Sequence, residues 1–397
     1  LANLQATSLR PDPDFPGDVE KLCRGLGIPG EARESRGQAR IQSIVRSPTV
    51  QRPLLVFTIR NDKAELELQY TLLFGSPAAA APTARRVVSK KELALKLEIL
   101  QARKPEFPDI VQLGDDLADL LLPPGFVNLL RFEEDVYLLV FHDNDAAQVP
   151  WEYVRFGETF AAIAGGLSRR FISPLVRIPP IAKERFSKAP NILIVADPLN
   201  NLPGAHEEGK NLAHAFVSSF PRSQIAMLTG EEATVESVRE KLQRKPFDFI
   251  HYAGQAFYNE KNPEAGGLVL ADRTVLTAAD ITKAALIPPG LVFLSSCEAA
   301  RISTESTENK MGLAEAFLRC GVSDIIAPTW PVSDLGTVSF AKRFYLTLFR
   351  GATVGTALRE GRLELWRTRD LDALNWVHFG LPEHAPLSAG SAAEGTA

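Results

Sequence analysis

The spacing of hydrophobic residues along this chain changes near residue 190. Before that point, apolar and polar residues alternate over 53–75 on both sides of Arg60-Asn61-Asp62-Lys63, which predicts a β-hairpin. The Ala- and Pro-rich stretch 76–83 predicts a loop. Apolar periodicity then predicts helices over 89–101 and 111–122 and a buried strand over 136–141.

From Asn191 onward, continuous apolar runs alternate with amphipathic stretches. The apolar runs predict strands over 192–196, 249–252, 267–270, 291–294 and 324–327. The amphipathic stretches predict helices over 207–220, 234–244, 277–286, 311–320, 334–350 and 353–367. Apolar strands separated by helices are typical of a parallel sheet that is buried on both faces. We therefore expect an α/β fold, a parallel-rich sheet flanked by helices on both faces, with an N-terminal α+β region.

Composition narrows the class of protein. The 397 residues carry a net charge of −4 without a basic tract, so we expect no nucleic-acid surface. No apolar run reaches the roughly 18 residues of a membrane span and the first residues lack a signal-peptide pattern, so we expect a cytoplasmic protein without a membrane segment. Cys23, Cys297 and Cys320 are too few for a disulfide framework. The histidines form no metal-binding pattern, and we expect neither a metal nor another cofactor.

Two predicted strand ends carry the candidate chemistry. Ser296 and Cys297 follow the strand at 291–294, and Gly254 and Gln255 follow the strand at 249–252. Because the carboxyl ends of parallel strands meet at one edge of a sheet, we expect these residues to lie close together. A lone cysteine in such a place is either a nucleophile or a small buried apolar side chain.

An ordered series of short blocks runs through about residues 112–382. The blocks are Val149-Pro-Trp-Glu-Tyr153, Ala196-Asp-Pro198, Leu202-Pro-Gly-Ala205 with Glu207-Glu208, Phe247 to Gly254, Leu294-Ser-Ser-Cys-Glu298, Trp330-Pro-Val-Ser-Asp334 and Asn375-Trp376 to Phe379. In this order they resemble the CHAT family of caspase-like proteins, which is grouped with separases and caspases among the cysteine peptidases. The resemblance implies a caspase-like fold with Cys297 at the nucleophile position. It also implies that the backbone N–H groups of Gly254 and Cys297 serve as oxyanion donors.

One block departs from the family pattern. Where the family has Ala-Gly-His-Gly, with that His as general base, this chain has Ala253-Gly254-Gln255-Ala256. An amide does not titrate near neutral pH, so Gln255 cannot take a proton from the thiol of Cys297. Alanine in place of the family's glycine is expected to tighten the turn at residue 256, since glycine allows positive φ at little cost.

Other residues have both a functional and a structural interpretation. His251 is a possible alternative base, as is His206 ahead of the first helix of the α/β half, and either histidine could instead be structural. Glu298 and Asp334 could bind a basic substrate side chain, or they could be a helix-start carboxylate and a helix cap. Trp151 is expected to anchor the core or an interdomain contact.

Three hypotheses on function follow, each with a protein or peptide as partner. The first is a pseudo-peptidase that acts as a regulatory or protein-interaction module in a bacterial defence or cell-death pathway, with a sensor protein encoded nearby. The second is an active cysteine endopeptidase that uses Cys297 with a base other than Gln255. The third is that residues 1–130 form a separate sensor or interaction domain that controls the second half. We place an N-terminal α+β region at 1–110, the CHAT region at 111–382 with its core at 190–382, and a disordered tail at 383–397.

Overall fold

The computed structural model of the chain is built on one large sheet, and it describes residues 50–73, 81–101, 105–126, 136–172, 189–259, 261–284, 287–296, 299 and 312–387. Eleven strands form this sheet. From one edge to the other they are β3 (Thr83–Ser89), β2 (Glu65–Leu72), β1 (Val50–Asn61), β4 (Val136–His142), β7 (Leu167–Phe171), β16 (Trp376–Phe379), β15 (Asp324–Pro328), β14 (Leu291–Ser295), β10 (Phe249–Ala253), β8 (Asn191–Ala196) and β9 (Gln224–Thr229).

Parallel pairing dominates the sheet. Seven of its ten neighbouring strand pairs are parallel; β1 with β2, β2 with β3, and β15 with β16 are antiparallel. Two small antiparallel sheets complete the strands: β5 (Arg155–Phe156) with β6 (Thr159–Phe160), and β11 (Ala256–Phe257) with β12 (Gly267–Val269) and β13 (Val275–Thr277).

Helices cover both faces of the large sheet. Their bounds are α1 (Lys90–Gln101), α2 (Phe107–Leu121), α3 (Pro203–Ser219), α4 (Val235–Arg244), α5 (Ala278–Lys283), α6 (Leu313–Arg319), α7 (Asp334–Phe349) and α8 (Val354–Arg367). Alternation along β8 shows the two faces: Ile192 and Ile194 join one core with Phe216 of α3, and Leu193 and Val195 join the other with Val238 of α4. The predicted α/β fold with helices on both faces is confirmed.

Most predicted elements are present, and the differences have physical causes. The strand at 267–270 exists as β12 but belongs to a small antiparallel sheet and not to the large one. The pattern misses β3, β7, β9 and β16. The sequence of β7 is Leu-Ser-Arg-Arg-Phe. Its Ser168 and Arg169 are buried because each has a polar partner inside the protein. The strand therefore lacks the continuous apolar run from which a buried strand is predicted.

The expected boundaries fall within continuous structure. The expected boundary between residues 110 and 111 lies inside α2. β1 precedes this boundary in the sequence and pairs in parallel with β4, which follows it. Residues 388–397 of the expected disordered tail lie outside the described residues. Residues 383–387, in contrast, are packed: Leu387 is buried, and the carbonyl of His384 accepts a hydrogen bond from the Val354 N–H at 2.8 Å.

The two halves of the sheet meet where β7 adjoins β16, and side chains reinforce this seam. The strands share a single register pair, Phe379 with Arg169. Arg362 of α8 bridges them, because its guanidinium donates to the Leu167 carbonyl at 2.9 Å and to the Trp376 carbonyl at 2.6 Å. Arg362 is fully buried, so these bonds satisfy a charge that has no access to water.

Glu152 supplies the counter-charge at this seam. Its carboxylate accepts from Arg169 Nε at 3.0 Å, forms a second hydrogen bond with the same guanidinium, and lies 3.9 Å from Arg362 Nη2. All three side chains are at most 4% exposed. The Pro-Trp-Glu block thus has a structural role. Its Trp151 is fully buried in the core, as expected.

A chain of buried hydrogen bonds also crosses the seam. The Tyr137 hydroxyl lies 2.7 Å from Ser168 Oγ, which lies 2.6 Å from Nδ1 of His378. Nε2 of His378 lies 2.9 Å from Oδ1 of Asp324, and Nδ1 of His384 bonds the other carboxylate oxygen. Burial alone would raise the pKa of Asp324, but the hydrogen bonds from both histidines outweigh it and hold that pKa below its usual value.

We expect His384→Gln to lower the melting temperature more at about pH 6 than at about pH 9. Burial opposes the charged form of His384, but its bond to Asp324 prevails and raises the pKa above the ordinary 6.5. A pKa raised on folding stabilises the fold below the unfolded value, and that contribution is lost as the pH rises through the folded pKa. The exposed His214 supplies the control variant, His214→Gln, which should show no such difference. An equal loss at both pH values for His384→Gln would contradict the prediction.

Candidate functional site

The carboxyl ends of β8, β10 and β14 lie side by side. Ala196, Ala253 and Ser295 are in register across these strands, and the chain leaves the sheet after each of them at the same edge. A cavity of about 300 Å³ opens there, and we call it the first cavity. Its lining comes from Leu202, Gly204, Ala205 and Glu208, from residues 254–256, from Ser295 and Ser296, and from Val332, Thr337 and Val338.

Asp197 shapes the loop that leads from β8 into α3 beside the cavity. Its φ of 48° is in the left-handed region, which Asp tolerates better than most residues. Its Oδ1 accepts from the N–H groups of Asn201 and Leu202, both at 2.9 Å. Its own N–H donates to the Ala253 carbonyl at 2.8 Å, which ties the loop to the end of β10.

Gln255 lines the cavity with an exposed side chain. Its carbonyl accepts from the Val269 N–H at 2.9 Å and from the Tyr252 hydroxyl at 2.6 Å, and these bonds fix the backbone. The N–H of Gly254 donates to the Ser295 carbonyl at 3.2 Å. This bond continues the ladder between β10 and β14, and the role of Gly254 as an oxyanion donor stays a prediction.

Ala256 fits its position without backbone strain. It begins β11 and pairs with Leu268 of β12. Among the described non-glycine residues, positive φ occurs at Asp197, Asn200, Asp272, Arg273 and Arg369, a set that does not include Ala256. The turn is therefore not tightened by the alanine, contrary to the expectation from the family's glycine.

Glu208 of α3 is a buried carboxylate in the cavity that the sequence did not mark as a site residue. It is 5% exposed, and its Oε2 accepts from Ser295 Oγ at 3.0 Å. Its Oε1 lies 3.1 Å from His251 Nε2, but neither atom has a hydrogen bond among the described residues. A signal exists in the sequence, since Glu208 precedes Leu212 and Phe216 at helical spacing and all three are buried. Among the described lining residues, Glu208 is the one titratable side chain.

His251 is enclosed in the core and does not line the cavity. It is fully buried, its ring stacks on Phe293 with 5.1 Å between centroids, and its Nδ1 lies 3.2 Å from the Tyr345 hydroxyl. The pKa of Tyr345 is raised well above 10 by burial and then by the charge of Glu208. These contacts favour the structural interpretation of His251, and its role as an alternative base stays a prediction. His206 is half-buried in the first turn of α3 and is not among the described lining residues.

Cys297 and Glu298 lie outside the described residues, as does the side chain of Asp334, whose backbone begins α7. The described chain reaches Ser296, which is 2% exposed and lines the cavity. Its Oγ has no hydrogen bond among the described residues. The roles of Cys297, Glu298 and Asp334 thus stay predictions.

Neither a metal site nor a membrane helix is found in the described part of the chain. No group of three His, Cys, Asp or Glu side chains there is arranged to hold a metal ion. None of the helices in those ranges is both long and apolar enough to cross a bilayer.

The sheet, its helices and the edge formed by β8, β10 and β14 define a caspase-like α/β protein. The sequence model of the CHAT domain matches residues 111–385, and the chain belongs to the CHAT domain family. No curated protein sequence matches the chain.

Two solved structures with a similar fold are crystal structures of the separase–securin complex of Saccharomyces cerevisiae. One has a TM-score of 0.52 and 13% identity, over 89% of this chain and 32% of that chain. The other has a TM-score of 0.44 and 17% identity, over 62% of this chain and 15% of that chain. The chain therefore spans about a third or less of the length of these neighbours. At 13% identity, the likeness to the structure with the TM-score of 0.52 shows the fold alone.

We expect Gly254→Ala to destabilise the fold by about 1–3 kcal/mol, the usual range for overpacking. A Cβ at residue 254 would lie 2.7 Å from the Tyr252 hydroxyl oxygen and 2.9 Å from Cζ of the same ring. Denaturant unfolding measures the loss. Because the hydroxyl is the nearest atom, Tyr252→Phe combined with Gly254→Ala should cost less than the sum of the two single changes. Strictly additive losses would show that this contact is not the cause.

Proposed function

We propose that this chain is a peptidase-related module that binds polypeptide at the first cavity and hydrolyses it slowly or not at all. The observation that carries the proposal is Gln255, which stands where the CHAT family has its general base. In the proposal, Cys297 occupies the nucleophile position. The described lining of the cavity adds no imidazole, and its one carboxylate, Glu208, is hydrogen-bonded to Ser295.

The missing imidazole affects two steps of peptide hydrolysis. A thiol is mostly protonated near neutral pH, and a neighbouring imidazole both favours the thiolate and later protonates the leaving amine. An amide side chain does neither. The loss of a general acid–base group typically costs about 10²–10⁴ in rate, which is about 3–5 kcal/mol of transition-state stabilisation.

Binding at the same edge does not depend on the imidazole. The walls of the cavity include the apolar side chains of Leu202, Val332 and Val338. Two large exposed apolar side chains are near the lining residues in the sequence: Phe257, which follows Ala256, is 46% exposed, and Leu335, two residues before Thr337, is 84% exposed. Exposed apolar side chains beside a cavity favour contact with another polypeptide.

A protein or peptide is the proposed partner. The similar separase structure with a TM-score of 0.52 is a complex with securin, which supports a protein partner for this chain as well. By analogy with its family, we propose that the chain acts in the cytoplasm as a regulatory module of a bacterial defence or cell-death type pathway, with a sensor protein encoded nearby.

The alternative is an active cysteine endopeptidase whose base is not Gln255. The described residues offer this alternative one titratable group in the cavity, Glu208, whose Oε1 has no hydrogen bond among them. His251 is fully buried and is therefore a poor candidate. If the chain proves active, Glu208→Gln is the first variant to measure.

We expect the unaltered chain to show slow or no turnover of a mixed fluorogenic peptide library with basic and acidic cleavage-site residues. Gln255→His with Ala256→Gly should exceed that rate, or the detection limit, by about 10²-fold or more. The reason is that histidine restores the proton transfer that the amide cannot perform. The matched controls are Cys297→Ala, alone and combined with the two restoring changes, which should be inactive.

Turnover by the unaltered chain that is lost in Cys297→Ala would reject the pseudo-peptidase and support the alternative. Turnover that survives Cys297→Ala would show that Cys297 is not the nucleophile.

A further inference from the structure

The large sheet ends in two edge strands that differ in charge. β3 at one edge carries Arg85 and Arg86, whereas β9 at the other edge has the sequence Gln-Ile-Ala-Met-Leu-Thr. Charged residues and proline on an edge strand normally hinder its pairing with another chain. β9 contains neither, so its own sequence leaves this edge open to pairing.

Alternate residues of β9 direct their backbone groups away from the sheet. The Gln224 N–H donates to the Pro190 carbonyl at 3.0 Å, so this N–H points towards β8. The direction of the backbone groups reverses with each residue along a strand. The residues whose N–H and C=O groups point outward are therefore Ile225, Met227 and Thr229. These groups have no hydrogen bond to the described part of the chain.

The outward groups of β9 match those of a second copy of the same strand. In an antiparallel pair, two residues that face each other exchange both of their N–H···O bonds. When Met227 of one copy faces Met227 of the other, Ile225 of each copy faces Thr229 of the other. Every outward group in the strand then has a partner.

Charges at the two ends of β9 favour this arrangement. Arg222 lies before the strand and is exposed, and the Lys245 ammonium bonds to the side chain of the first strand residue. Glu231 and Glu232 lie after the strand and are also exposed. Residues 222 and 232 are equally far from Met227 in sequence, so an antiparallel pair places them opposite each other. The basic end of each copy thus meets the acidic end of the other.

Apolar side chains on one face of the edge extend this surface. Ile225 and Met227 are only partly buried against the core. A methyl group on Gly209 of α3 would lie 3.2 Å from Cε of Met227, so this side of the helix faces β9. Val217 follows eight residues later on the same side and is 53% exposed. A second copy along β9 would remove part of this apolar surface from water.

We propose that β9 is the interface at which two copies of this chain pair in antiparallel, which joins their large sheets into one. A twofold axis through Met227 makes the charges at the ends of the strand complementary to themselves, and this favours a second copy over an unrelated strand. The strand is short, with six residues, so the contact is small and the dissociation constant should be on the order of 10 μM. The inference is independent of the function proposed for the first cavity.

Sedimentation velocity of the full chain at about 1–200 μM and low salt measures this association, since salt screens exposed charges. We expect the sedimentation coefficient to rise with concentration towards that of a dimer. Arg222→Glu places like charges opposite each other at both ends of the pair and should weaken the association about tenfold. Glu232→Arg should weaken it by a similar factor for the same reason.

An equimolar mixture of the Arg222→Glu chain and the Glu232→Arg chain should associate again, because glutamates of one chain then face arginines of the other. The matched control is Arg85→Glu, which makes the same change of charge on β3 at the opposite edge and should leave the association unchanged. All three replaced side chains are exposed, so each variant should melt at the temperature of the unaltered chain.

Hydrogen exchange measured by NMR for single residues distinguishes pairing at β9 from association elsewhere. At about 1 μM the amides of Ile225, Met227 and Thr229 should exchange fast, and at about 200 μM several-fold more slowly. The amides of Ala226 and Leu228 point towards β8 and should exchange slowly at both concentrations.

A chain that stays monomeric at about 200 μM would overturn the proposal. So would an association that both charge reversals leave unchanged, or one that leaves the outward amides of β9 unprotected. Slow exchange of these amides in the monomer would show that another segment occupies the edge, and it would overturn the proposal as well.

Discussion

The buried guanidinium of Arg362 joins the two halves of the sheet, and the rest of the structure depends on that junction. β7 and β16 share one register pair, so the hydrogen bonds of Arg362 to both strands replace a longer ladder. A buried charge is tolerated only when it is paired, and Glu152 meets this need for Arg362 and Arg169 together.

The first cavity is rigid for a related reason. Glu208 connects α3 to Ser295 of β14 and faces His251 of β10, and Asp197 ties the loop before α3 to the end of β10. These contacts hold the edge in place without an imidazole in the described lining. An edge that is held by such contacts keeps its shape without a general base, and this supports the binding role that we propose.

The sequence predicted the second half of the fold well because its strands are apolar throughout, as in Ile192 to Ala196. It failed at β7, where Ser168 and Arg169 are buried with polar partners and leave no apolar signature. It identified Gln255 because a motif was altered there. It missed Glu208 because a glutamate on a helix is normally solvated. Its place in the site depends on a hydrogen bond from Ser295, a residue far away in the sequence, which no local spacing of residues reveals.

The most direct test of the account is the pH dependence of alkylation at Cys297 by iodoacetamide, followed by mass spectrometry of the peptide that contains it. Without an imidazole partner, the rate should rise around pH 8.5, as it does for an ordinary thiol at about that pKa. Gln255→His with Ala256→Gly should shift the rise to lower pH. If the unaltered chain already reacts at its full rate at about pH 6–7, another group activates the thiol and the central claim of a disarmed site is wrong.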